Sequence, residues 1–301
     1  MKETKKILIA NRGVIAIRAL RAAKELGYKV ASVYSTVDKD QKHLKLSDEA
    51  ICIGPGPAKD SYLNEAAIIA AAELADVDAI YPGFGFLAEN ASFAEKCNQS
   101  GFKFIGPDPK VIEIMGDKIK AKDLVESLGI PIVPGYSGDI TSNEQIKSIV
   151  KEIGYPVIVK ATSGGGGKGM RVVNEENELW DSIVSAQNEA KLAFGDDKVF
   201  IEKYLSKPRH IEIQIFGDGK GKAVHLYSRD CSLQRKYQKI LEEAPALNVP
   251  KEKLDEIQNI CVKACKEMNY AGAGTLEFLY ENGQFFFIEM NTRIQVEHTV
   301  T

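Results

Sequence analysis

Residues 155–169 read YPVIVKATSGGGGKG, an apolar strand that ends near a lysine and runs into four consecutive glycines. Ordering these glycines costs conformational entropy, but backbone N–H groups can then approach an anion with no Cβ in the way. The spacing GxGxxG occurs here, yet no helix pattern follows it. No Ser or Thr follows Lys168 as in a Walker A loop. Two interpretations remain: a loop that covers phosphates and a flexible hairpin tip.

Lys160 favours the first interpretation. A lysine in an otherwise apolar strand is unfavourable unless an anion pairs with it. A lysine at a strand end is ordinarily a surface residue, but beside the glycine run we predict that Lys160 contacts a phosphate group.

A second segment, FIEMNTRIQVE at residues 287–297, alternates polar and apolar residues. Such alternation ordinarily indicates a half-exposed strand with a solvated face. The polar positions nevertheless combine carboxylates, amides and an arginine, the mixture that a metal–phosphate site needs: Glu289, Asn291, Arg293, Gln295 and Glu297. A straight strand would hold the first and last of them ~26 Å apart. We therefore predict that the strand ends near Asn291 to Arg293 and then turns.

Glu277 lies in a preceding strand, residues 275–280, and Asn282-Gly283 predicts a hairpin that leads to residues 285–291. A two-residue loop would put Glu277 and Glu289 on opposite faces, and a three-residue loop would put them on the same face. We expect the three-residue loop, because a shared metal site requires it. Oxygen ligands of this kind suit Mg²⁺ or Mn²⁺, with ATP phosphates completing the shell.

The order of elements predicts the fold class. The first third of the chain alternates strands and helices, which predicts a parallel, doubly wound sheet that ends near Pro107 and Pro109. Two helices follow, at residues 109–115 and 118–128. A compact α+β unit follows, which contains the glycine run and ends near residue 204. Ser142 or Thr141 is the predicted N-cap of its first helix, which ends near Ile153. The last third is rich in strands. The class is therefore α/β followed by α+β.

Composition sets limits on partners and location. The 301 residues carry a net charge of -3, which gives no reason to expect nucleic acid or an anionic membrane as a partner. Five cysteines without a CxxC pair indicate reduced thiols. The first apolar run is too short for a signal peptide, and no stretch approaches 18 consecutive apolar residues. We expect a cytoplasmic protein of two or three domains.

Further motifs carry a family resemblance. Residues 155–169 and 287–294 together resemble the paired signatures of the ATP-grasp superfamily. Other motifs look specifically like biotin carboxylase: IANRG at 9–13, PGFGFL at 82–87, MGDK at 115–118, EEAP at 242–245 and RIQVEH at 293–298. Because they occur in order along the whole chain, the sequence is identified as a member of the biotin carboxylase family.

The resemblance implies a Rossmann-like N-terminal domain followed by an ATP-grasp fold with an inserted glycine-lid domain. The implied boundaries are 1–114 for the N-terminal domain, 115–132 for a helical linker, 133–204 for the lid and 205–301 for a partial C-terminal ATP-grasp domain. Family members continue past Thr301 into a segment that completes this domain, adds an arginine at the biotin and forms part of the dimer surface. We therefore expect a fold that is incomplete at the C-terminus, with ATP and metal sites largely intact and weak biotin carboxylation.

The resemblance also implies roles for individual residues. ATP would be bound by Lys118, Lys160, Gly164, Gly165, Gly166, Gly167, Glu202, Lys203, Tyr204, Leu205, His210, Gln234 and Leu279. The metal ligands would be Glu277, Glu289 and Asn291. Catalytic roles would fall to Glu297, Arg293 and Lys239. Bicarbonate and biotin would be bound by Gln295, Val296, Arg293, Lys239, Phe84 and Tyr237. Phe84 and Tyr237 depart from the usual Tyr and His of the family, which puts the biotin geometry in question.

The implied activity is ATP-dependent carboxylation of biotin through carboxyphosphate, with Glu297 as general base. ATP and Mg²⁺ or Mn²⁺, in two sites, would be the cofactors, and biotin would be a carrier-bound substrate. Biotin carboxyl carrier protein, carboxyltransferase subunits and a second copy of the chain would be the partners. The parent enzyme would be acetyl-CoA carboxylase of fatty acid synthesis or another biotin-dependent carboxylase, such as pyruvate carboxylase.

Two other hypotheses stay open. Another ATP-grasp ligase, such as a carbamoyl-phosphate-type enzyme, would respond to ammonia rather than to biotin. A nucleotide-binding fragment would bind ATP without releasing ADP.

Overall fold

The first sheet is parallel, as the alternation of strands and helices predicts. A computed structural model describes residues 5–140, 142–162, 170–235 and 238–301. The N-terminal elements are β1 (Lys6–Ile9), α1 (Gly13–Glu25), β2 (Lys29–Tyr34), α2 (Lys42–Leu46), β3 (Glu49–Cys52), α3 (Glu65–Leu74), β4 (Ala79–Tyr81), α4 (Ala91–Gln99) and β5 (Lys103–Phe104). Their strand order, β3-β2-β1-β4-β5, reverses direction at β1, as in a doubly wound fold.

Two sequence motifs meet at the carboxyl ends of β1 and β4. The Asn11 side chain donates hydrogen bonds of 2.7 and 2.8 Å to the carbonyls of Pro82 and Phe84. Gly83 has φ of +69°, and a Cβ at this position would lie 2.9 Å from the Ile15 side chain. Only glycine fits this turn without strain, so IANRG and PGFGFL form one tightly packed unit.

A buried carboxylate lies beside this edge of the sheet. Asp38 accepts hydrogen bonds from the Ser35 hydroxyl at 2.7 Å, the Tyr62 hydroxyl at 2.8 Å and the Arg12 guanidinium at 2.9 Å. Burial alone would raise the pKa of Asp38, but these three donors outweigh it and lower the pKa below its ordinary value. The carboxylate therefore stabilises the folded state in its charged form.

We predict that Asp38→Asn lowers the free energy of unfolding by about 1–3 kcal/mol at pH 7, measured by urea denaturation. Because the pKa is lower in the folded chain, the wild-type advantage should be full above the unfolded pKa of about 4 and shrink as the pH falls through the folded pKa. Asp40→Asn, at an exposed position, is the matched control. An advantage of the wild type that is equally large at pH 2 would contradict the assigned role.

Two helices, α5 (Pro109–Gly116) and α6 (Lys118–Ser127), follow the first sheet. Asp117 lies between them and caps α6, because its carboxylate accepts hydrogen bonds from the backbone N–H groups of Ile119 and Lys120 at 3.0 Å. This cap places Lys118 in the first turn of α6.

The second sheet is antiparallel. Its unit contains β6 (Gly135–Tyr136), α7 (Asn143–Ile153), β7 (Val157–Ala161), β8 (Met170–Val173), α8 (Leu179–Phe194) and β9 (Val199–Lys203), with strand order β6-β9-β7-β8. Ser142 caps α7, as the sequence predicts. One face of the sheet packs its valines and isoleucines against α7 and α8, and the opposite face carries Lys160, Phe200 and Glu202. The glycine run, Gly164 to Gly167, lies outside the described residues.

The third sheet carries the predicted metal ligands and the predicted catalytic residue Lys239. It contains β10 (Arg209–Asp218), β11 (Ala223–Arg235), β12 (Gln238–Glu243), β13 (Ala271–Glu281) and β14 (Gln284–Asn291), with α9 (Lys251–Glu267) packed on one face and the strand order β12-β11-β10-β13-β14. On β10 the apolar residues Ile211, Ile213 and Ile215 face the core with α9. The polar residues between them therefore point to the other face, where the site lies.

The predicted fold class is confirmed, and the two helices predicted at residues 109–115 and 118–128 agree with α5 and α6 to within one residue. The short elements α2, β6 and β12, and helix α4, were not predicted. Helix α4 has a recognisable start, since the Asn90 side chain accepts a hydrogen bond from the Phe93 N–H. Among the described residues, no helix is both long and apolar enough to cross a bilayer.

Candidate active site

The β13–β14 hairpin brings two predicted metal ligands together by an unexpected route. Its loop has two residues, Asn282 and Gly283, with φ of 51° and 79°, so the three-residue loop expected from the sequence is wrong. A β-bulge at Ile288 instead shifts the register by one residue, and Glu277 lies opposite Glu289. The bulge thus places both carboxylates on one face of the sheet, as the longer loop was expected to do.

Lys239 lies among three carboxylates. Its Nζ is 2.9 Å from Glu277 and 2.7 Å from Glu297, and it also contacts Glu212. Strand β14 ends at Asn291, as predicted, and a 3₁₀ turn at Val296–Val300 brings Glu297 back to this cluster. Burial would lower the pKa of Lys239, but the surrounding carboxylates raise it well above its ordinary value. Lys239 is therefore a permanent cation.

Two residues of β10 complete the charged cluster. His210 Nε2 lies 2.8 Å from Glu277 and 3.3 Å from Glu212. Burial would lower the pKa of His210, but the two carboxylates raise it to about 9, so the imidazole is protonated at neutral pH. Glu212 was not among the residues predicted from the sequence. Its signal is the alternation in HIEIQI, residues 210–215, where every polar residue shares one face.

Arg229, on β11, is the second residue that the sequence analysis missed. Its guanidinium has no exposed surface and contacts the Glu212 carboxylate at 2.8 and 3.0 Å. The same group donates to the side-chain carbonyls of Gln214 at 2.7 Å and Gln295 at 2.6 Å. Gln295 in turn donates to Glu277 at 2.8 Å. Arg229 thus fixes, through a buried hydrogen bond, the side chain of Gln295, which is predicted to bind bicarbonate.

Arg293 projects from the turn after β14 and contacts the N-terminal part of the chain. Its Nε donates to Glu89 at 2.7 Å, and its terminal nitrogen donates to the Asn291 side-chain carbonyl at 2.8 Å. The second oxygen of Glu89 accepts from the Thr292 N–H at 3.1 Å. Glu89 lies two residues after the PGFGFL motif, so this motif is connected to the predicted bicarbonate pocket through one carboxylate.

A cavity of about 220 Å³ opens beside this turn. Lys118, Glu289, Asn291 and Glu89 are among its lining residues. Partial burial and the charge of Glu277 raise the pKa of Glu289. A cavity of similar size lies on the α9 side of the third sheet, near Ile257, away from the charged cluster.

The partner of Lys160 in the structure is a carboxylate. Lys160 Nζ lies 2.7 Å from Glu202 on the neighbouring strand. Glu202 is thus the anionic neighbour that a lysine in an apolar strand requires. The contact of Lys160 with a phosphate stays a prediction. Lys122, which the sequence analysis did not select, contacts the other oxygen of Glu202.

The predicted adenine segment follows β9. The N–H groups of Lys203 and Tyr204 donate to the carbonyls of Pro134 and Pro156 at 2.8 and 3.0 Å, so the protein itself uses these two donors. The Lys203 side chain donates to the carbonyls of Gly154 and Tyr155. Leu205 is half-buried at the end of the segment.

The other predicted residues are spread around the cluster. Leu279 pairs with His210 across β13 and β10, and Gln234 donates to the Cys231 carbonyl at 2.9 Å. Val296 is 63% exposed and Phe84 is half-buried. Tyr237 lies outside the described residues.

The donor set fits a divalent cation such as Mg²⁺. Glu277 and Glu289 face each other, and the Asn291 amide lies 2.7 Å from a Glu277 oxygen. Carboxylate and amide oxygens are the ligands that hard cations prefer. Ligand atoms of His210, Glu212 and Glu277 also lie within 4.8 Å of one another.

Comparison with protein families gives two matches. Residues 3–112 match the family model described as biotin carboxylase, N-terminal domain. Residues 117–301 match the model described as carbamoyl-phosphate synthase L chain, ATP binding domain.

Curated relatives include two kinds of carboxylase. Biotin carboxylase of Pseudomonas aeruginosa is 56% identical over 297 residues, which cover 98% of this chain and 66% of that protein. The mitochondrial methylcrotonoyl-CoA carboxylase subunit alpha of Oryza sativa subsp. japonica is 50% identical over 298 residues. The match covers 98% of this chain and 40% of that protein. The chain thus spans about two thirds of the length of the first relative.

Solved structures agree with the fold. A biotin carboxylase–β,γ-ATP complex from Campylobacter jejuni superposes with a TM-score of 0.89 at 51% identity, covering 99% of this chain and 67% of that one. The biotin carboxylase domain of Hydrogenobacter thermophilus 2-oxoglutarate carboxylase, solved with MgADP, ADP and bicarbonate, has a TM-score of 0.87 at 47% identity. The match covers 99% of this chain and 66% of that one.

Proposed function

The chain belongs to the biotin carboxylase family, and from this premise we propose that it uses ATP and Mg²⁺ to activate bicarbonate for the carboxylation of biotin. One observation carries the proposal: Lys239 lies 2.7 Å from Glu297 and 2.9 Å from Glu277. A permanent cation thus touches both the predicted base and a predicted metal ligand. Such a pair suits an anionic substrate whose proton must be removed.

The first chemical step begins at Glu297. Its carboxylate takes the proton of bicarbonate, and the resulting oxygen attacks the γ-phosphorus of ATP while the bond to the ADP oxygen breaks. The products are carboxyphosphate and ADP. Lys239 and Arg293 would bind the bicarbonate oxygens, and Lys118 and Lys160 would bind the phosphates, which stabilises the charge that develops. Mg²⁺ held by Glu277, Glu289 and Asn291 would neutralise phosphate charge.

The second step transfers the carboxyl group. Carboxyphosphate breaks down to CO₂ and phosphate, phosphate removes the ureido proton of biotin, and the biotin nitrogen attacks CO₂. The glycine run would exclude water, since water would hydrolyse carboxyphosphate. Phe84 and Tyr237 would border the biotin. Mn²⁺ in place of Mg²⁺, and a second metal ion, stay predictions.

The partners follow from the chemistry of this product. Carboxybiotin must be carried to an acceptor, so biotin carboxyl carrier protein and carboxyltransferase subunits are the proposed partners, with a second copy of the chain as in the family. We propose acetyl-CoA carboxylase as the parent enzyme. The methylcrotonoyl-CoA relative keeps other biotin-dependent carboxylases as the alternative. The cytoplasmic location stays a prediction.

The direct test is ADP release by the purified chain with ATP and Mg²⁺, with and without bicarbonate and free biotin. Release that requires bicarbonate supports the first step, and a further increase with biotin supports the second. Stimulation by ammonia rather than biotin would identify a carbamoyl-phosphate-type reaction. ATP binding without any ADP release would make the chain a binding protein and contradict the proposal.

We predict that Glu89→Gln raises the KM for bicarbonate about tenfold and leaves thermal stability nearly unchanged. The neutral amide weakens the charged contact that holds Arg293, an interaction worth about 1.5–3 kcal/mol when charged groups take part. Steady-state ADP release against bicarbonate concentration measures the effect. Glu95→Gln, on the exposed side of α4, is the matched control. A normal KM for bicarbonate in Glu89→Gln would show that Glu89 does not position Arg293.

A further inference from the structure

Two lysines contact one buried carboxylate between the second sheet and helix α6, and the charge of a third lysine acts on both of them. Lys160 on β7 pairs with Phe200 on β9, and Glu202 follows two residues later on the same face of the sheet. Helix α6 contributes Lys118 and Lys122, which are four residues apart and therefore lie on one side of the helix. The charges of Lys118 and Lys160 both act on Lys122.

Glu202 is held from both sides. Lys122 Nζ contacts one oxygen of its carboxylate, and Lys160 Nζ lies 2.7 Å from the other. The Glu202 side chain is 4% exposed, whereas those of Lys122 and Lys160 are 19% and 28% exposed. Lys122 Nζ also lies 4.8 Å above the Phe200 ring. These contacts fix both ammonium groups in one place.

The charge balance of this cluster favours a further anion. Two lysines share one carboxylate, and burial together with the charges of neighbouring lysines lowers the pKa of Lys122 and Lys160 to about 8. An ammonium group has three donors, so one contact with Glu202 leaves each of these two lysines able to bind another oxygen. Lys118 also lines the cavity beside Glu289 and Asn291. The cluster is therefore continuous with the proposed nucleotide and metal site.

We propose that Lys122 is a third phosphate-binding lysine of the nucleotide site, and that Glu202 positions it beside Lys160. The ligand class is the polyphosphate of ATP and ADP, so this inference rests on the proposed function. The MGDK motif contains Lys118 alone, and Lys122 enters the site only because Glu202 comes within reach of α6 in the folded chain.

The test compares ligands with and without phosphates. The affinities of the full chain for ATP, ADP and adenosine are measured by calorimetry in Mg²⁺ buffer, for the wild type, Lys122→Met and Lys122→Arg. We expect Lys122→Met to bind ATP and ADP about tenfold more weakly and adenosine unchanged, and Lys122→Arg to recover most of the loss. Lys120→Met, on the same helix with a 57% exposed side chain, should bind all three ligands like the wild type.

Several outcomes would overturn the inference. Unchanged ATP affinity in Lys122→Met would show that Lys122 does not bind phosphate, and an equal loss for adenosine would show a structural role only. Additive effects of Lys122→Met and Glu202→Gln on ATP affinity would contradict the positioning role of Glu202. If the wild type bound no ATP, the proposed function would fail together with this inference, whereas the results above leave the proposed function intact.

Discussion

Lys239→Met is expected to reduce bicarbonate-dependent ADP release at least about 100-fold, the scale of losing one electrostatic contact in an active site. Lys239 is the cation shared by Glu212, Glu277 and Glu297. Without it, the carboxylates repel one another and an incoming anion, and Glu297 loses its cationic contact. The measurement is the initial rate of ADP release at saturating ATP, over a range of bicarbonate concentrations.

The control for this variant is Lys222→Met, which removes a lysine of the same charge from the exposed turn between β10 and β11. It should release ADP at the wild-type rate. A Lys239→Met rate within a factor of three of the wild type would show that the carboxylate cluster does not depend on Lys239, and the proposed first step would need another cation.

Arg229→Met is expected to lower the free energy of unfolding by about 3–5 kcal/mol, because it leaves the buried Glu212 carboxylate without its guanidinium partner. The loss is large since Arg229 also donates to Gln214 and Gln295. Urea denaturation followed by circular dichroism measures the change.

A second substitution makes this prediction sharper. Glu212→Gln in the Arg229→Met background removes the buried charge that has lost its guanidinium partner, so the double variant should recover part of the stability that the single variant loses. Arg21→Met, on the exposed side of α1, should change the stability by less than about 0.5 kcal/mol. If the double variant were less stable than Arg229→Met, the charge of Glu212 would not be the cause of the loss.

The fold was predictable because it depends on periodicity. Strand β14 begins one residue before the predicted range 285–291 and ends with it, and the parallel order of the first sheet follows from alternation with helices. The turn after Asn291 was also predictable, since the reach of a strand excludes a common site for Glu289 and Glu297 without one.

The register of the site hairpin was not predictable in the same way. Sequence spacing shows which residues a loop joins, but a bulge at Ile288 depends on how β14 packs against its neighbours. The contacts of Glu212 with Arg229 and of Glu202 with Lys122 also require strand pairing and helix placement that no local pattern contains. Each of these pairs joins residues that are distant in sequence.

In the proposed first step, a bicarbonate oxygen attacks the γ-phosphorus of ATP. The most direct test is the reaction of ATP with ¹⁸O-labelled bicarbonate and Mg²⁺, with mass spectrometry of the phosphate formed before the label exchanges with water. We expect one ¹⁸O atom in each phosphate released, since the bridging oxygen of carboxyphosphate stays with phosphorus. Unlabelled phosphate released together with ADP would mean that water is the nucleophile, and the proposed reaction would be wrong.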